Sequence, residues 1–340
     1  MGATLDDIAA KVGVSKTTVY RALNGKDRIS SDTRDAILAV AKELDYRPNI
    51  LASGLRSKRS MAIGLIFNDL MAGHFYAEIF HGIEDIATQN NYGVILGCTN
   101  GIVEKEKKLI NLFIERRVDG IIVSPTHGVD IGCYLRLKKE KIPFVFIDRR
   151  IDGIDTDIIT TDDFMGAYEA TSHFISLGHK KIVLLNGPEY PCSTIEKRIE
   201  GYTTALKNNG IKDNKIISLS DKTLDQKKYG YMAIKNYLAS GPLDFTAVFA
   251  INDSLAIGAY KALVESGARI PEDVAIIGYN DDEMDQYLDV PLTTISQPKY
   301  EMGKKSMELL LKRMNDEVVK AGDTYENMVM KPNLIIRKSC

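Results

Sequence analysis

Two hydrophobic patterns divide the chain near residue 60. In residues 1–60 the apolar positions recur every three to four residues, which predicts short amphipathic helices and no strand. From Met61 onward, short runs rich in Val and Ile alternate with helical stretches, as in MAIGLIF (61–67) and AVFAIND (247–253). Apolar strands separated by helices predict βαβ units, whose parallel sheets are covered by helices on both faces.

The strand signals are too numerous for one doubly wound sheet. About ten occur, and the series restarts at DIIT (157–160), so we expect two similar sheets of about five strands each. The runs LTTISQP (292–298) and NLIIRKS (333–339) close the chain. The predicted fold class is therefore α/β, with an all-α head before two doubly wound parallel-sheet subdomains.

Composition narrows the class of protein. The 340 residues are 44% apolar and 26% charged, which is ordinary for a globular protein. No apolar run approaches the ~18 residues of a membrane-spanning helix, and the first residues lack the pattern of a secretory signal. The four cysteines are scattered without a CxxC pair, so we expect neither a zinc site nor disulfides, and a cytoplasmic location.

The charge is distributed unevenly along the chain. The net charge is −2, yet residues 1–60 hold 11 Lys and Arg against 7 Asp and Glu, and the remainder is acidic. A basic head on an acidic body is expected when one end contacts nucleic acid.

The head contains the spacing of a helix-turn-helix. Ala9 lets two helices cross closely, Gly13 provides the turn between them, and Val19 fixes the second helix. Ser15 is placed to cap that second helix. Its outward face then carries four side chains that can hydrogen-bond to base edges: Lys16, Thr17, Tyr20 and Arg21. On spacing alone, a three-helix bundle with a polar face remains an alternative.

A third helix and a hinge follow. The third helix is predicted from Ser30 or Ser31 to Asp45, with inward positions at Ile37, Leu38, Ala41 and Leu44. Residues 49–57 can form one short helix, marginal by itself, with Leu51 and Leu55 four positions apart and a basic RSKR tail. This segment is either a hinge that folds on DNA and inserts a leucine into the minor groove, or a plain linker.

These residues resemble the LacI/GalR family of bacterial transcriptional regulators. The resemblance begins with LDDIAAKVGVSKTTVYRALNG and LASGLRSKRS, and continues through LGHKKIVLLNGP, AVFAINDSLAIGAYKAL and PLTTISQP. It implies a dimer whose core is similar to periplasmic sugar-binding proteins, and it implies that Leu55 is the minor-groove wedge. The other DNA-contacting positions that it implies are Thr4, Ser15, Lys16, Thr17, Tyr20, Arg21, Asn24 and Arg28. At Tyr20 the family commonly has serine, so the base preference there is expected to be unusual.

A ligand cleft is predicted between the two subdomains. Ligands of open α/β sheets bind outside the carboxyl ends of the strands, which brings five short stretches of this chain near one cleft if the two subdomains face each other. Carboxylates, amides and an arginine suit sugar hydroxyls, and an aromatic ring suits an apolar sugar face. The resemblance implies that Arg198 and Asn280 contact the effector, although the family usually has Asp at the latter position. The candidate effector-binding residues are Phe75, Tyr76, Asp148, Arg198, Asn252 and Asn280.

The predicted domain boundaries follow from the second series of strands, which begins at residue 157, and from the family resemblance. Residues 1–47 form the helix-turn-helix head, and residues 48–60 form the hinge helix and linker. Residues 61–160 with 293–323 form the first core subdomain, and residues 161–292 with 324–340 form the second.

An enzyme and a secreted binding protein are the rival interpretations. The chain has no GxxxxGK[ST], GxGxxG, GxSxG or HExxH motif, so no enzyme, catalytic residue or cofactor is predicted. His74 and His81 lack nearby acids or thiols, and the aspartates of 152–157 lack the spacing and terminal Glu of a calcium loop, so no metal site is expected. The head and the missing signal peptide oppose a secreted sugar-binding protein.

The function expected from these patterns is transcriptional repression. A homodimer, formed through the first core subdomain, reads a pseudo-palindromic operator, and a small molecule, most simply a sugar, binds in the cleft and controls it. Two alternatives remain open at this stage. One is a catabolite-control-type regulator whose corepressor is a phosphorylated carrier protein docked near Lys304 and Lys305. The other is a purine-responsive repressor.

Overall fold

The chain divides into two compact units, Met1–Ser60 and Met61–Cys340. The computed structural model describes residues 3–23, 29–46, 59–70, 74–187, 192–219, 225–315 and 324–340. Each unit has its own hydrophobic core. No helix of the described residues has the length and apolar character needed to cross a membrane.

The first unit is a three-helix head. Its helices are α1 (Leu5–Val12), α2 (Lys16–Leu23) and α3 (Ser31–Glu43), packed around Ile8, Val19 and Ile37, which are fully buried. Gly13 ends α1 in the left-handed region, with φ of 75°, and its N–H donates to the Ala9 carbonyl at 2.9 Å. A residue with a Cβ is disfavoured there, so this glycine sets the turn between the two helices.

One predicted inward position of the head is wrong. Leu38 on α3 is 45% exposed, whereas Ile37 and Ala41 are buried. The apolar stripe of α3 is narrow because only two short helices cover it, so a third neighbouring apolar position faces solvent.

The second unit contains two six-stranded sheets. The strands of the first sheet are β1 (Ala62–Phe67), β2 (Gly93–Cys98), β3 (Gly120–Val123), β4 (Phe144–Ile147), β5 (Asp157–Thr161) and β11 (Asn327–Met330). Their order is β11-β5-β4-β3-β1-β2, and all of the pairs are parallel. Each of the four central strands is almost wholly buried, as expected for a sheet covered on both faces.

The second sheet contains one antiparallel pair. Its strands are β6 (Ile182–Leu185), β7 (Ile216–Ile217), β8 (Ala247–Ala250), β9 (Ala275–Asn280), β10 (Thr293–Ser296) and β12 (Asn333–Ile335). Their order is β12-β10-β9-β8-β6-β7, and only the β10–β12 pair is antiparallel. The predicted fold class is confirmed, but each sheet has six strands rather than about five.

Helices connect the strands of both sheets. Those of the first subdomain are α4 (Phe75–Gln89), α5 (Val103–Arg116), α6 (Gly132–Lys139) and α11 (Lys299–Asn315). Those of the second are α7 (Asp163–Ser176), α8 (Ser193–Asn208), α9 (Gln226–Ser240), α10 (Asp253–Glu265) and a 3-10 helix, Glu283–Tyr287. Helices α4 and α11 cross closely, since a Cβ on Gly82 would lie 2.1 Å from the Tyr300 carbonyl oxygen.

The chain crosses between the subdomains later than the sequence predicts. Residues 293–296, predicted in the first subdomain, form β10 and pair with β9 in the second sheet. Residues 327–330, predicted in the second subdomain, form β11 and pair with β5 in the first sheet. The sequence pattern identifies LTTISQP as a strand but does not show which sheet it joins, and NMVM is a short edge strand without a strong apolar signal. Both predicted boundaries therefore fall several residues early.

Candidate functional site

The first candidate site is the outward face of α2. Ser15 caps this helix by accepting the Thr18 N–H at 3.1 Å, as predicted from its position. Lys16, Thr17 and Arg21 are exposed, and Tyr20 is half-buried. Val19 and Ala22 on the opposite face are buried in the head core. The helix therefore presents a row of polar side chains away from its packing surface, which is what insertion into a major groove needs.

The remaining DNA-contact candidates have different surroundings. Thr4 forms a capping box with Asp7, because its hydroxyl accepts the Asp7 N–H while its own N–H donates to the Asp7 carboxylate at 2.8 Å. Lys16 forms an exposed ion pair with Asp6 at 2.6 Å. Asn24, Arg28, Leu55 and the predicted hinge helix lie outside the described residues.

The second candidate site is the cleft between the two sheets. The carboxyl ends of β1, β3 and β4 lead to Asn68, Ser124 and Asp148. Across the cleft, α8 carries Arg198 and the end of β9 carries Asn280. The two walls touch beside these residues, because the Arg150 N–H donates to Ser193 Oγ at 3.4 Å.

Asp148 and Tyr76 form the centre of the first wall. The Tyr76 hydroxyl donates to Asp148 Oδ2 at 2.9 Å and also lies 2.9 Å from Ser124 Oγ. Burial raises the pKa of Tyr76, and the negative charge of Asp148 adds to this effect. The Tyr76 ring stacks on Phe67 and meets Phe75 edge-on. Both predicted aromatic residues are thus buried in the floor of the cleft.

The backbone at Asp148 is strained. Its φ is 68°, and the Arg149 N–H donates back to the Ile147 carbonyl at 2.7 Å, which closes a three-residue turn. A non-glycine residue in this region stores conformational energy, and such residues are concentrated at binding sites. The same holds across the cleft, where Asn280 has φ of 120° and Asp281 has φ of 59°.

Arg198 is the buried cation of the second wall. Its Nε donates to Asp163 Oδ1 at 2.8 Å, and one terminal nitrogen donates to the Ile251 carbonyl at 2.6 Å. Its guanidinium lies 3.6 Å from the centroid of the Tyr279 ring. Desolvation by itself would lower the pKa of Arg198, but the combined effects of Asp163, Tyr279 and Asp148 outweigh it and raise this pKa. The planar group is therefore held in one orientation, as recognition of oxygen-rich ligands requires.

Asn280 and Asn252 already have protein partners. Gln297 donates its Nε2 to Asn280 Oδ1 at 2.8 Å. Asn252 caps α10 by accepting the Leu255 N–H at 2.8 Å. Sequence reasoning missed Gln297, which is 3% exposed and follows β10. Its position directly after a strand of the second sheet was the signal that could have identified it.

Three comparisons with known proteins bear on both sites. Residues 4–49 match the family described as bacterial regulatory proteins, lacI family, and residues 171–340 match the periplasmic binding protein-like domain. The transcriptional repressor PurR of Pasteurella multocida is 34% identical, with 99% of this chain and 98% of that protein covered. The lac repressor dimer bound to operator and the anti-inducer ONPF is 28% identical, with a TM-score of 0.85, covering 100% of this chain and 99% of that one.

The chain belongs to the LacI family of bacterial transcriptional regulators. It is a DNA-binding repressor, and its relatives are regulators rather than enzymes. A LacI-family regulator from Enterococcus faecium, solved with bound ribose, is also similar, at 34% identity and a TM-score of 0.70, with 82% of this chain and 98% of that one covered.

Sequence reasoning missed a buried polar network in this LacI-family core. Thr99 and Thr126 hydroxyls lie 2.9 Å apart, and both reach Asn68 Oδ1. Glu106 on α5 accepts the Thr126 N–H at 2.6 Å and the Tyr134 hydroxyl, and burial raises its pKa. In sequence, Glu106 looks like one of several surface acids on an amphipathic helix, so only the fold shows that it is buried.

The two halves of the core also meet beside the cleft. The His74 N–H donates to Asp282 Oδ1 at 3.2 Å. Lys299, which is 3% exposed, pairs with Glu78 at 2.5 Å and donates to the Asp281 carbonyl at 3.0 Å. These contacts join the start of α4 to the segment after β9, so the segment that follows Asn280 is tied to both subdomains. Within the described residues, no cluster of three His, Cys, Asp or Glu could hold a metal ion.

Proposed function

We propose that this regulator binds a pseudo-palindromic operator as a homodimer and is controlled by a sugar, with ribose as the first candidate. The proposal rests on the polar face of α2 and on a cleft whose walls carry Asp148, Ser124, Arg198 and Asn280. The ribose-bound relative at 34% identity supports the same ligand class. Because its target is bacterial DNA, we place the protein in the cytoplasm.

The chemistry of the cleft favours a sugar over a purine. A purine base binds well between flat aromatic faces. Here the Tyr76 ring stacks on Phe67 at 4.6 Å between centroids, and its hydroxyl is held by Asp148. The Tyr279 ring is covered by the Arg198 guanidinium. The groups available to a ligand are hydroxyls, amides, a carboxylate and a guanidinium, all of which form hydrogen bonds with sugar hydroxyls. The PurR relatives make a purine the second candidate.

The exposed edge of the first sheet supports the homodimer. Strand β2 is the terminal strand, and it leaves Ile95 and Leu96 38% and 42% exposed. Apolar side chains on an unpaired edge strand promote aggregation unless another surface covers them. A second copy placed there would bring two first subdomains side by side, as two half-sites on one operator require.

The effector is tested by thermal shift. The purified protein is heated with ribose, other pentoses, hexoses, disaccharides and purine bases, each in separate samples. Ligand at about 100 times its dissociation constant should stabilise the protein by about 2.7 kcal/mol. The matched variant Asp148→Asn should lose most of the ribose shift, whereas exposed Asp130→Asn should keep it. A shift with a purine base and none with any sugar would contradict the sugar proposal.

The operator is tested by selection from a pool of random duplexes. Wild-type protein should enrich a sequence with two-fold pseudo-symmetry, because two α2 helices read two half-sites. Arg21→Ala should weaken binding to that sequence, since its exposed guanidinium is offered to the DNA. If no small molecule shifts the melting temperature and no operator is enriched, phosphorylated carrier protein becomes the partner to examine. Lys304 and Lys305 are then the positions to substitute.

A further inference from the structure

Two buried carboxyl groups face each other beside the cleft. Asp253 is the first residue of α10, and Asp285 lies within the 3-10 helix Glu283–Tyr287. Both are 0% exposed. Asp253 approaches β9 closely, since a Cβ on Gly278 would lie 2.0 Å from Asp253 Oδ1. The close approach leaves no room for water between the carboxyl and the strand.

The two carboxyl groups differ in their partners. Asp253 accepts the Thr294 hydroxyl at 2.6 Å and the Asp282 N–H at 3.0 Å. Among the described residues, no N–H or hydroxyl donates to either oxygen of Asp285. Its side-chain partner is the Asp253 carboxyl itself. Two ionised carboxylates repel and have no hydrogen to share, so this contact needs one proton.

The charged groups near the pair do not remove its requirement for a proton. Burial raises the pKa of both Asp253 and Asp285, and each is raised further by a neighbouring carboxylate. Arg337 acts against the shift, but its guanidinium donates to Asp281 at 2.6 Å. The charged groups that act on the pair are Asp282 and Arg337. Asp282 is in turn affected by Lys299, His74 and Lys227, and Arg337 by Asp281.

The pair lies in the segment that links the second wall of the cleft to the first subdomain. Asn280 precedes it, and Asp282 accepts the His74 N–H from the other subdomain. The Asp285 N–H donates to the Asp282 carbonyl at 3.0 Å, and the Asp285 carbonyl accepts the Leu292 N–H at 2.9 Å. A side chain that fixes Asp285 therefore fixes the turn that carries both Asn280 and Asp282.

We propose that Asp285 is a positioning residue of the effector site: it shares one proton with Asp253, and this carboxyl pair holds the 280–285 segment in place. The proposal rests on the proposed effector cleft, because Asn280 is positioned for ligand by the same segment. Loss of the proton leaves two buried negative charges in contact, so the segment moves away from α10. Alkaline pH then weakens both the fold and the effector site.

The sign of the pH effect follows from proton linkage. The folded pair retains a proton that a solvated aspartate releases near pH 4. The folded state therefore binds more protons than the unfolded state above that pH, and stability falls as pH rises through the neutral and alkaline range. One such proton changes the folding equilibrium constant about tenfold per pH unit.

The test compares Asp285→Asn with the wild type and with Asp289→Asn, an exposed aspartate nearby. In Asp285→Asn the new amide can donate to the Asp253 carboxylate without a proton, so it replaces the shared hydrogen. Urea unfolding is measured from pH 5 to pH 9. Relative to Asp285→Asn, the wild type and Asp289→Asn should lose stability by about tenfold in equilibrium constant per pH unit. Parallel pH profiles for all three proteins would overturn the shared proton.

Positioning is measured by hydrogen exchange of the peptide spanning residues 280–288, corrected for intrinsic exchange at each pH. In the wild type this peptide should become less protected at pH 9 than at pH 6, whereas in Asp285→Asn its protection should not change. Equal loss of protection in both proteins would overturn the positioning role. Ribose affinity should follow the same pattern. If ribose binds at no pH, the proposed effector is wrong, and the exchange rates still decide the role of Asp285 without ligand.

Discussion

The Arg198 guanidinium covers the face of the Tyr279 ring at 3.6 Å while it donates to Asp163. A cation over an aromatic face is stabilised by the ring quadrupole, and more so where water is excluded. All three side chains are at least nine-tenths buried. These contacts therefore fix the orientation of the guanidinium.

Replacing Arg198 with Met should destabilise the protein in a pH-dependent way. The substitution keeps an apolar stem but leaves the Asp163 carboxylate buried without its cation, which costs about 3–5 kcal/mol. Burial already raises the pKa of Asp163 to about 6, so the carboxyl can take up a proton in mildly acidic solution. Urea unfolding should show a smaller loss at pH 5 than at pH 8. The exposed Lys197→Met is the control, and an equal loss at both pH values would contradict this account.

Tyr134→Phe should destabilise the first subdomain. It removes the hydroxyl that donates to Glu106, a carboxyl with 0% exposure whose second oxygen accepts the Thr126 N–H. An acceptor left buried without its donor costs about 1–3 kcal/mol. Urea unfolding at pH 7 measures the change. Tyr287→Phe, at a residue 67% exposed, should leave the unfolding free energy within about 0.5 kcal/mol of the wild type. Similar losses in both variants would refute the role of this hydrogen bond.

The sequence predicted the positions of the helices and strands well, but it predicted less well which polar side chains are buried. Alternating Val-rich runs and helices predicted strands near all but one of those observed, and Ser15 and Gly13 were correctly placed at the turn of the head. Local periodicity could not show that Glu106 is buried or that Asp253 meets Asp285, because these contacts join residues 20 to 32 positions apart. Pairing of this kind depends on how helices cover the sheet, which no single window contains.

Asp6→Asn should strengthen operator binding at low salt. Asp6 pairs with Lys16 at 2.6 Å on the exposed side of the head, so it neutralises a cation that α2 would offer to phosphates. An exposed pair of this kind is worth about 0.2–1 kcal/mol, which corresponds to a gain of about 1.4- to 5-fold in affinity. Fluorescence anisotropy with the selected operator measures the affinity. The gain should disappear in ~0.5 M salt, where such charges are screened. A loss of affinity at low salt would show that Lys16 does not face the DNA.

Leu96→Lys should convert the dimer into a monomer. The substitution places a charge on the exposed edge strand proposed to meet the second copy, and an unpaired charge at the centre of an interface is strongly unfavourable. Sedimentation velocity should show half the wild-type mass at micromolar concentration, with weaker operator binding. Leu177→Lys, at a residue 52% exposed in the second subdomain, should remain dimeric. A dimeric Leu96→Lys variant would move the interface to another surface.

The late crossing of the chain between its two sheets has a consequence for synthesis on the ribosome. Strand β11 and helix α11 complete the first subdomain, yet they are translated after every strand of the second sheet except β12. The buried ion pair between Arg313 and Asp157 also joins a late segment to an early one, at 2.7 Å. Strands β1 to β5 are therefore translated before helix α11 and strand β11, which later cover an apolar face of the sheet and pair with the edge of β5. Both surfaces stay exposed until the second sheet, except β12, has left the ribosome. A nascent chain that stalls near residue 298 exposes both subdomains to chaperones and proteases at once.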